Sequence, residues 1–284
     1  MNPHNLTIQQ SVSAALEEDI RSGDITAQLI PEETMATATI RTRQEMVLCG
    51  MDWVDESFRQ LDPQISLRWE MEDGADVSAG STLVTIHGSA RALLSVERTA
   101  MNFLQTLSAT ATVTRQYVQQ LGESGAKILD TRKTLPGLRE AQKYAVHCGG
   151  GTNHRMGLYD AFLIKENHIA AAGSIVEAVE SARSIAPEQK VEVEVESIDE
   201  LEQALNAGSD IIMLDNFSQE EMRQAVSINQ HRALLEVSGN VSLEQIREIA
   251  ETGVDYISVG ALTKHIQAID LSMRLSVGSD LHNN

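Results

Sequence analysis

The sequence predicts an α/β protein whose larger part is an incomplete (β/α) barrel of about six parallel strands. Short apolar runs alternate with amphipathic helices along residues 190–265. The residues that end successive strands are Glu194, Asp215, Ser238 and Gly260, at spacings of 21, 23 and 22 residues. Because strand and helix alternate at this interval, the strands are expected to share one parallel sheet.

The first 112 residues follow a different pattern. SVSAALEEDI predicts a helix, and two long stretches after it are rich in strand-forming residues and glycine turns. These stretches are TATIRTRQEMVLCG and ISLRWEMEDGADVSAGSTLVTIHG. This part of the chain is therefore expected to form a domain of its own.

A long helix is predicted between the two parts, over SVERTAMNFLQTLSATATVTRQYVQQL. Near the C-terminus, AIDLSMRL alternates apolar and polar residues, which predicts a strand that returns to the N-terminal sheet. We therefore predict a first domain over residues 1–112, joined by a C-terminal strand within 268–284. The second domain covers residues 113–267.

The second domain begins with two further predicted strands, AKILDT and AFLIKENH, which end near Thr131 and Lys165. KVEVEVES then alternates valine with glutamate, as a half-buried strand does. Three later helices have the S-x-x-E/Q pattern of a capping box at their start. The pairs are Ser197 with Glu200, Ser218 with Glu221, and Ser242 with Gln245. Gly208 and Gly253 stand where predicted helices end, so a positive φ is expected at both.

The charge distribution limits the choice of ligand. A net charge of −19 argues against nucleic acid, because a phosphate backbone needs a basic surface. One window reverses this average, since residues 127–166 contain seven basic and four acidic side chains. The basic residues lie among glycines and histidines, which favours an anion-binding pocket over a solvated helix face.

We expect a cytoplasmic protein that does not enter a membrane. The N-terminal stretch MNPHNLTIQQ lacks the basic start and apolar core of a signal peptide. No run of residues reaches the ~18 apolar residues of a membrane helix. Cys49 and Cys148 are too few for a disulfide framework and fit a reducing compartment.

Polar and small residues stand at the ends of the predicted parallel strands. In such folds, ligands bind at the carboxyl ends of the strands, so these residues are expected to meet at one mouth. They are Arg132, Lys133, Lys165, Glu194, Asp215, Ser238 and Gly260. Arginine is suited to grip a carboxylate or phosphate there, because its guanidinium donates two parallel hydrogen bonds.

The stretch HCGGGTNHR, residues 147–155, has three interpretations. His147, Cys148 and His154 are potential zinc ligands, although a structural zinc site normally needs four ligands in short paired spacings. The glycines also suit a tight turn with positive φ angles. The third interpretation is a loop that delivers His154 and Arg155 to an anion site.

The acidic and small residues at the later strand ends also have alternatives. Glu194 and Asp215 suit either a buried pair with Lys165 or a site for sugar hydroxyls and hydrated Mg²⁺. SGN at 238–240 and VGA at 259–261 allow backbone N–H groups to reach a phosphate.

Several of these stretches together resemble the quinolinate phosphoribosyltransferase family, over about residues 16–275. The resemblance rests on ERTAMNFLQTLSATAT, LDTRKTLPGLREAQKYAVHCGGGTNHRMGLYDAFLIKENHI, VEVEVES, DIIMLDN, LEVSGN and ISVGALTKH. It implies an N-terminal open α/β sandwich domain beside the incomplete barrel. It also implies a homodimer in which Arg98 reaches the partner's active site.

The resemblance further implies a reaction and a set of site residues. Quinolinate and phosphoribosyl pyrophosphate would give nicotinate mononucleotide, pyrophosphate and CO₂, with Mg²⁺ as cofactor. Quinolinate would be held by Arg98, Arg132, His154 and Arg155, and the pyrophosphate and reacting centre by Lys133 and Lys165. Glu194 and Asp215 would hold the ribose hydroxyls and, through water, Mg²⁺. The 5′-phosphate would lie at Ser238, Gly239, Asn240, Gly260 and Ala261, with Thr131 and Val259 beside the substrates and His265 closing the mouth.

Three other functions remain as alternatives. A relative associated with molybdenum transport shares the scaffold, but the transferase is favoured by the joint presence of Arg132, Lys133, His154, Arg155 and Lys165. A sugar-phosphate-binding barrel without catalysis would tolerate loss of the acidic residues. A zinc hydrolase would use the ligands of the HCGGGTNHR stretch.

Overall fold

The computed structural model describes residues 3–277, and side chains from Thr7 onward. The strands are β1 (Met35–Thr42), β2 (Met46–Val47), β3 (Ser66–Trp69), β4 (Asp76–Val77), β5 (Thr82–Ser89), β6 (Lys127–Leu129), β7 (Phe162–Ile164), β8 (Val191–Val195), β9 (Ile211–Asp215), β10 (Leu234–Ser238), β11 (Tyr256–Ser258) and β12 (Leu271–Val277). The α-helices are α1 (Pro3–Asp19), α2 (Met51–Leu61), α3 (Ala90–Gln120), α4 (Arg139–Cys148), α5 (Glu166–Ala172), α6 (Ile175–Ile185), α7 (Ile198–Asn206), α8 (Gln219–Asn229), α9 (Ile246–Ala250) and α10 (Ala261–Lys264). Two 3₁₀ turns cover Ala27–Leu29 and Leu243–Gln245.

The chain divides into two compact units. The first comprises the residues up to Val113, the segment Leu135–Gly150 and the residues from His265 onward. The second comprises Thr114–Thr134 and Gly151–Lys264. Each unit has its own sheet and its own buried apolar residues.

The first unit is built on a four-stranded antiparallel sheet in the order β12-β1-β5-β3. Helices α1 and α2 contribute side chains to its apolar core, among them Ile8, Val12 and Leu16 at four-residue spacing. On α2, Trp53 and Phe58 are buried. A sheet that shares its core with helices is the α/β sandwich that the resemblance implies, and the fold class is confirmed.

The division of the chain differs from the predicted ranges 1–112 and 113–267 chiefly in the segment Leu135–Gly150. Ala141 and Ala145 on α4 are buried in the core of the first unit, so this helix belongs there despite its place in the sequence. Within the predicted strand 268–284, Leu271–Val277 forms β12. Residues 278–284 lie outside the described residues.

The second unit contains a six-stranded parallel sheet in the order β6-β11-β10-β9-β8-β7. This is the cyclic order of a (β/α) barrel, opened between its first two strands, β6 and β7. The predicted six-stranded incomplete barrel is therefore confirmed. The segment around Thr152 partly fills the opening, because the Thr152 N–H donates to the carbonyl of Ile128 at 2.8 Å.

The helices of the second unit begin and end at residues that the sequence marks. Ser218 and Glu221 form a full capping box, whereas the Ser242–Gln245 box opens a 3₁₀ turn. Gly208 and Gly253 adopt the positive φ angles expected after helices, 78° and 94°. Within residues 3–277, every helix is too short or too polar to cross a lipid bilayer.

Candidate active site

The parallel strands of the second unit deliver a set of polar side chains to one cavity of about 330 Å³. Eight of the residues proposed from the sequence line it: Thr131, Arg132, Lys133, His154, Arg155, Lys165, Glu194 and Ser238. Leu163, Met213 and Ser258 complete the lining. Four basic side chains therefore share this cavity with a single carboxylate, in a chain whose net charge is −19.

The two arginines of the cavity lie close enough to repel each other. Burial lowers the pKa of the Arg155 guanidinium, and the charge of Arg132 lowers that pKa further. The guanidinium of Arg155 also donates to the carbonyl of Ala161 at 3.3 Å. An anion bound between the two arginines would relieve this repulsion, because opposite charges at short range favour the charged form of each.

Two lysines take different places around the cavity. Lys165 follows β7 as the N-cap residue of α5, and its ammonium forms an ion pair with Glu194. Lys133 lies against Gly260, where an added Cβ would come within 3.0 Å of its side chain. The absence of a side chain at Gly260 therefore leaves room for Lys133.

The HCGGGTNHR stretch is only partly a loop. His147 and Cys148 form the last turn of α4, so the prediction of a loop from residue 147 is wrong for these two residues. After the glycines, the loop is tied to Asp130, which is fully buried. Asp130 accepts from the backbone N–H of His154 at 2.9 Å and from the amide of Asn153 at 2.6 Å.

His154 stands above two buried carboxylates. Its Nε2 lies 2.9 Å from Oε2 of Glu192 and 3.6 Å from Oε2 of Glu236. Its Nδ1 accepts from the backbone N–H of Arg155 at 2.8 Å, which requires Nδ1 to be unprotonated and places the proton on Nε2. Both ring nitrogens therefore have partners within the protein.

The two carboxylates below His154 share one buried space. Glu236 is fully buried and accepts from the hydroxyl of Ser258. Burial and, after it, the adjacent Glu192 carboxylate raise the pKa of Glu236 to about 8, against the lowering effect of His154. At neutral pH this cluster therefore contains a protonated Glu236 beside Glu192.

Four residues of the site were not predicted from the sequence: Glu192, Glu236, Ser258 and Asp130. The available signal was a charged residue at an internal position of otherwise apolar strands, in VEVEV and LLEVS. Inward-facing positions of a barrel strand recur every second residue, so Glu192 and Glu194 occupy successive levels of the interior. Of these two glutamates, only Glu194, which is nearer the carboxyl end of the strand, lines the cavity.

Other predicted residues stand at the neighbouring strand ends. Asp215 ends β9 in register with Ser238, and one of its oxygens accepts from the amide of Asn216 at 2.8 Å. Gly239 has a φ of +106°, and a Cβ there would lie 2.2 Å from Oδ1 of Asn216. Glycine is thus required where the chain leaves β10. Asn240 follows, also with positive φ.

The last strand of the parallel sheet along the chain, β11, leads into α10 at Ala261. Between them, Val259 is buried and its N–H donates to the carbonyl of Leu129 at 2.9 Å. Two remaining predictions, Arg98 and His265, fall in the first unit and are exposed. Arg98 lies on α3 beside a cavity of about 430 Å³ in that unit.

The clusters of potential metal ligands among residues 3–277 do not match the zinc interpretation. Cys148 groups with Cys49 and Asp73, whereas His154 groups with Glu192 and Glu236. Within that span, His147 belongs to neither cluster. The structure thus gives no support to a zinc site that combines the histidines and cysteine of the HCGGGTNHR stretch.

Comparison with known proteins decides the family. The model of the quinolinate phosphoribosyl transferase C-terminal domain matches residues 110–274, and that of the N-terminal domain matches residues 24–108. The chain belongs to the quinolinate phosphoribosyl transferase family. The match spans both units, so membership in the family extends over nearly the whole chain.

Relatives of this family are similar over nearly their full length. The chain is 40% identical to the probable nicotinate-nucleotide pyrophosphorylase (carboxylating) of Bacillus subtilis, covering 98% of this chain and 96% of that protein. It is 44% identical to the nicotinate-nucleotide pyrophosphorylase (carboxylating) of Mycobacterium leprae, over 94% and 96%. The solved nicotinate-nucleotide pyrophosphorylase of Francisella tularensis is 51% identical over 96% and 97%, with a TM-score of 0.94.

Proposed function

We propose that the chain transfers a phosphoribosyl group from phosphoribosyl pyrophosphate to quinolinate, with loss of CO₂, to give nicotinate mononucleotide and pyrophosphate. This makes it a pentosyltransferase of NAD biosynthesis. Relatives that it matches over their full length are named nicotinate-nucleotide pyrophosphorylase (carboxylating). The observation that carries the proposal is the cavity of the second unit, where Arg132, Lys133, Arg155 and Lys165 face one another.

Quinolinate carries two adjacent carboxylates, and two guanidiniums suit them. In the proposal, Arg132 and Arg155 each hold a carboxylate, which also removes their mutual repulsion. Arg132 and Arg155 are both half-buried, which strengthens the attraction because the local dielectric is lower than that of water. We therefore expect the site to prefer quinolinate, with two carboxylates, over nicotinate, with one, more strongly than a solvent-exposed site would.

His154 has a supporting role in this proposal. Its ring nitrogens already contact Arg155 and Glu192, so it does not donate to substrate in this arrangement. Instead, it fixes the backbone of Arg155 and links that residue to the buried Glu192–Glu236 pair. In this proposal, His154 acts on quinolinate indirectly, through Arg155.

In the proposal, the 5′-phosphate and the pyrophosphate of phosphoribosyl pyrophosphate bind at the strand ends next to the quinolinate site. Its 5′-phosphate lies at the backbone following β10 and β11, where Gly239 and Gly260 carry no side chain that would keep a phosphate from the backbone N–H groups. The residues proposed there are Ser238, Gly239, Asn240, Gly260 and Ala261. Lys133, held over Gly260, reaches the pyrophosphate.

The carboxylates of Glu194 and Asp215 fit a hydrated Mg²⁺. They belong to neighbouring strands, β8 and β9, and Mg²⁺ usually combines one or two carboxylates with water and substrate phosphates. The ion pair of Glu194 with Lys165 favours contact through water. When bound, Mg²⁺ would neutralise charge on the departing pyrophosphate.

The remaining chemistry follows from charge. Departure of pyrophosphate leaves positive character at C1 of the ribose, which the carboxylates of Glu194 and Asp215 stabilise, while Lys133 and Lys165 attract the leaving group. The ring nitrogen of quinolinate bonds to C1, and the resulting pyridinium stabilises the electron pair left on C2 when the 2-carboxylate departs as CO₂. A proton from solvent then adds to C2 and gives nicotinate mononucleotide. No side chain needs to abstract a proton to start this step.

The assembly and location of the protein belong to the proposal as well. We propose a homodimer in which the exposed Arg98 enters the active site of the partner subunit. The proposed site therefore has quinolinate held by side chains of two chains. We place the protein in the cytoplasm.

The direct experiment is to incubate the purified protein with quinolinate, phosphoribosyl pyrophosphate and Mg²⁺. We expect nicotinate mononucleotide and CO₂ in equal amounts. Nicotinate is the matched control substrate, because it lacks the 2-carboxylate, and it should give little product. Equal use of nicotinate, or product without CO₂, would contradict the proposal.

A further inference from the structure

The chain has two cysteines, and the first unit brings their side chains together. Cys49 precedes the N-cap of α2, and Cys148 is the last residue of α4. Their sulfur atoms and a carboxylate oxygen of Asp73 lie within 4.8 Å of one another. The thiol of Cys49 makes a hydrogen bond with the sulfur of Cys148.

The two thiols differ in access to solvent. Cys49 is fully buried, whereas Cys148 is partly exposed. A hydrogen bond from Cys49 lowers the pKa of Cys148, and burial opposes this effect. Burial, above all, raises the pKa of Cys49 well above its usual value. Cys148 is thus the thiol with more thiolate character and easier access.

The third member of the cluster, Asp73, already accepts hydrogen bonds from backbone and side-chain donors. Asp73 accepts from the N–H groups of Gly50 at 3.0 Å and Met51 at 3.3 Å, at the start of α2. It also accepts from the hydroxyl of Tyr144 at 3.0 Å. Asp73 would lose these bonds by turning towards a metal ion, so the arrangement favours sulfur chemistry over metal binding.

We propose that Cys49 and Cys148 form an oxidisable dithiol, in which Cys148 reacts with a peroxide and Cys49 then closes an intramolecular disulfide. In the first step, the Cys148 thiolate attacks one peroxide oxygen, an S–O bond forms, and the O–O bond breaks to release hydroxide. In the second, the sulfur of Cys49 loses its proton and attacks that of Cys148. The S–S bond forms as the S–O bond breaks, and the overall products are the disulfide and two molecules of water.

The surroundings determine which residue moves during closure. Cys49 is held at both backbone groups, since its N–H donates to Oγ of Ser108 at 3.0 Å and its carbonyl accepts from that hydroxyl at 3.1 Å. A disulfide requires the sulfurs to approach to about 2.05 Å. The shift therefore falls on Cys148, at a helix end that is followed by Gly149 and by Gly150 with positive φ.

The test uses the full-length protein and hydrogen peroxide. We expect the intact mass to fall by about 2 Da per chain, with peptide mapping that joins Cys49 to Cys148. A dithiol reductant should restore the mass. Because the chain has two cysteines, an intramolecular disulfide can only join these residues. This measurement needs no variant and does not depend on enzymatic activity.

Single variants assign the two roles. Cys49→Ser should leave a sulfenic acid on Cys148 that dimedone traps. In Cys148→Ser, the remaining thiol of Cys49 is buried, so it should react with peroxide at least roughly tenfold more slowly than Cys148 does in Cys49→Ser. The proposal is overturned if peroxide leaves both thiols reduced, gives only disulfides between chains, or carries Cys148 to a sulfinic acid without a disulfide. Equal reactivity of the two variants would overturn the assigned order.

Discussion

Nε2 of His154 lies 2.9 Å from Oε2 of Glu192, and the two side chains are only 7% and 4% exposed. The opposite ring nitrogen of His154 accepts the N–H of Arg155. A buried carboxylate is thus linked through one imidazole to the backbone of a cavity arginine. The negative charge of Glu192 also favours the charged form of Arg155. Buried acidic residues next to the anion-binding cavity thus hold His154 and, through it, the backbone of Arg155 in place.

The buried acid pair predicts an unusual dependence of stability on pH. The pKa of Glu236 is raised to about 8, so the folded protein retains a proton that the unfolded chain releases above its ordinary value of 4.5. The associated stability is complete below about pH 4.5 and is lost as pH rises through about 8. Glu236→Gln should remove this loss, because glutamine stays neutral while keeping hydrogen-bonding groups.

The measurement is urea unfolding at about pH 5, 7 and 9. The free energy of unfolding should fall less across this range in Glu236→Gln than in the unchanged protein. Glu180→Gln, on the exposed surface of α6, is the matched control and should follow the unchanged protein. Parallel curves for all three proteins would show that Glu236 ionises normally.

Loss of a cavity guanidinium should weaken the use of quinolinate. Arg155→Ala removes a charge-assisted contact of roughly 3 kcal/mol, so kcat/KM for quinolinate should fall on the order of a hundredfold. Arg155→Lys should recover little, because an ammonium cannot donate two parallel hydrogen bonds. Steady-state kinetics with varied quinolinate measure this effect. Arg68→Ala, on an exposed surface ion pair, should stay close to the unchanged rate, and a similar loss there would refute the specific role of Arg155.

The turn after β10 should not tolerate a side chain. Gly239→Ala would place Cβ 2.2 Å from Oδ1 of Asn216 at a φ of +106°. Gly208→Ala is the matched control, because Gly208 also has a positive φ but has no atom within 4 Å of the added Cβ. Both variants should lose about 1 kcal/mol of stability from backbone strain, and Gly239→Ala should lose more than Gly208→Ala because Asn216 must shift to admit the Cβ. Gly239→Ala should also raise KM for phosphoribosyl pyrophosphate, and equal kinetics of the two variants would contradict a phosphate site at this turn.

The proposed sharing of active sites between subunits can be tested by mixing two inactive variants. Arg98→Ala and Arg155→Ala should each have little activity alone. In a mixed dimer, one site would carry both defects and the other neither, so exchange of subunits should restore up to about a quarter of full activity. Activity is assayed after the mixture is partly unfolded and refolded. A mixture that stays as inactive as its components would place Arg98 outside a shared site.

Much of the fold follows from local pattern. The alternation in VEVEV, the Ser218–Glu221 capping box and the glycines after helices all produced the expected elements. These features act over a few residues, so the chain encodes them without knowledge of distant neighbours. The segment around α4 was placed differently because its partners in the core are far away in sequence.

The polar residues below the cavity illustrate the limit of such reasoning. Glu192 follows the same alternation as Glu194, and nothing local shows that one ends in a buried cluster and the other beside Lys165. Glu236 lies near Glu192 and His154 because β10 and β8 belong to the same sheet, with only β9 between them. The ionisation of a group depends on its burial and neighbours, and these are properties of the folded chain.

The sequence by itself determined which residue types end the parallel strands, and thus that basic side chains and the Glu194 carboxylate would gather at one mouth. That conclusion needs only the strand period and the rule that parallel strands point the same way. The tertiary structure alone decided how these groups pair: Lys165 with Glu194, His154 with buried acids, and Cys49 with Cys148. Pairing depends on distances of a few ångströms between residues far apart in the chain, which only packing sets.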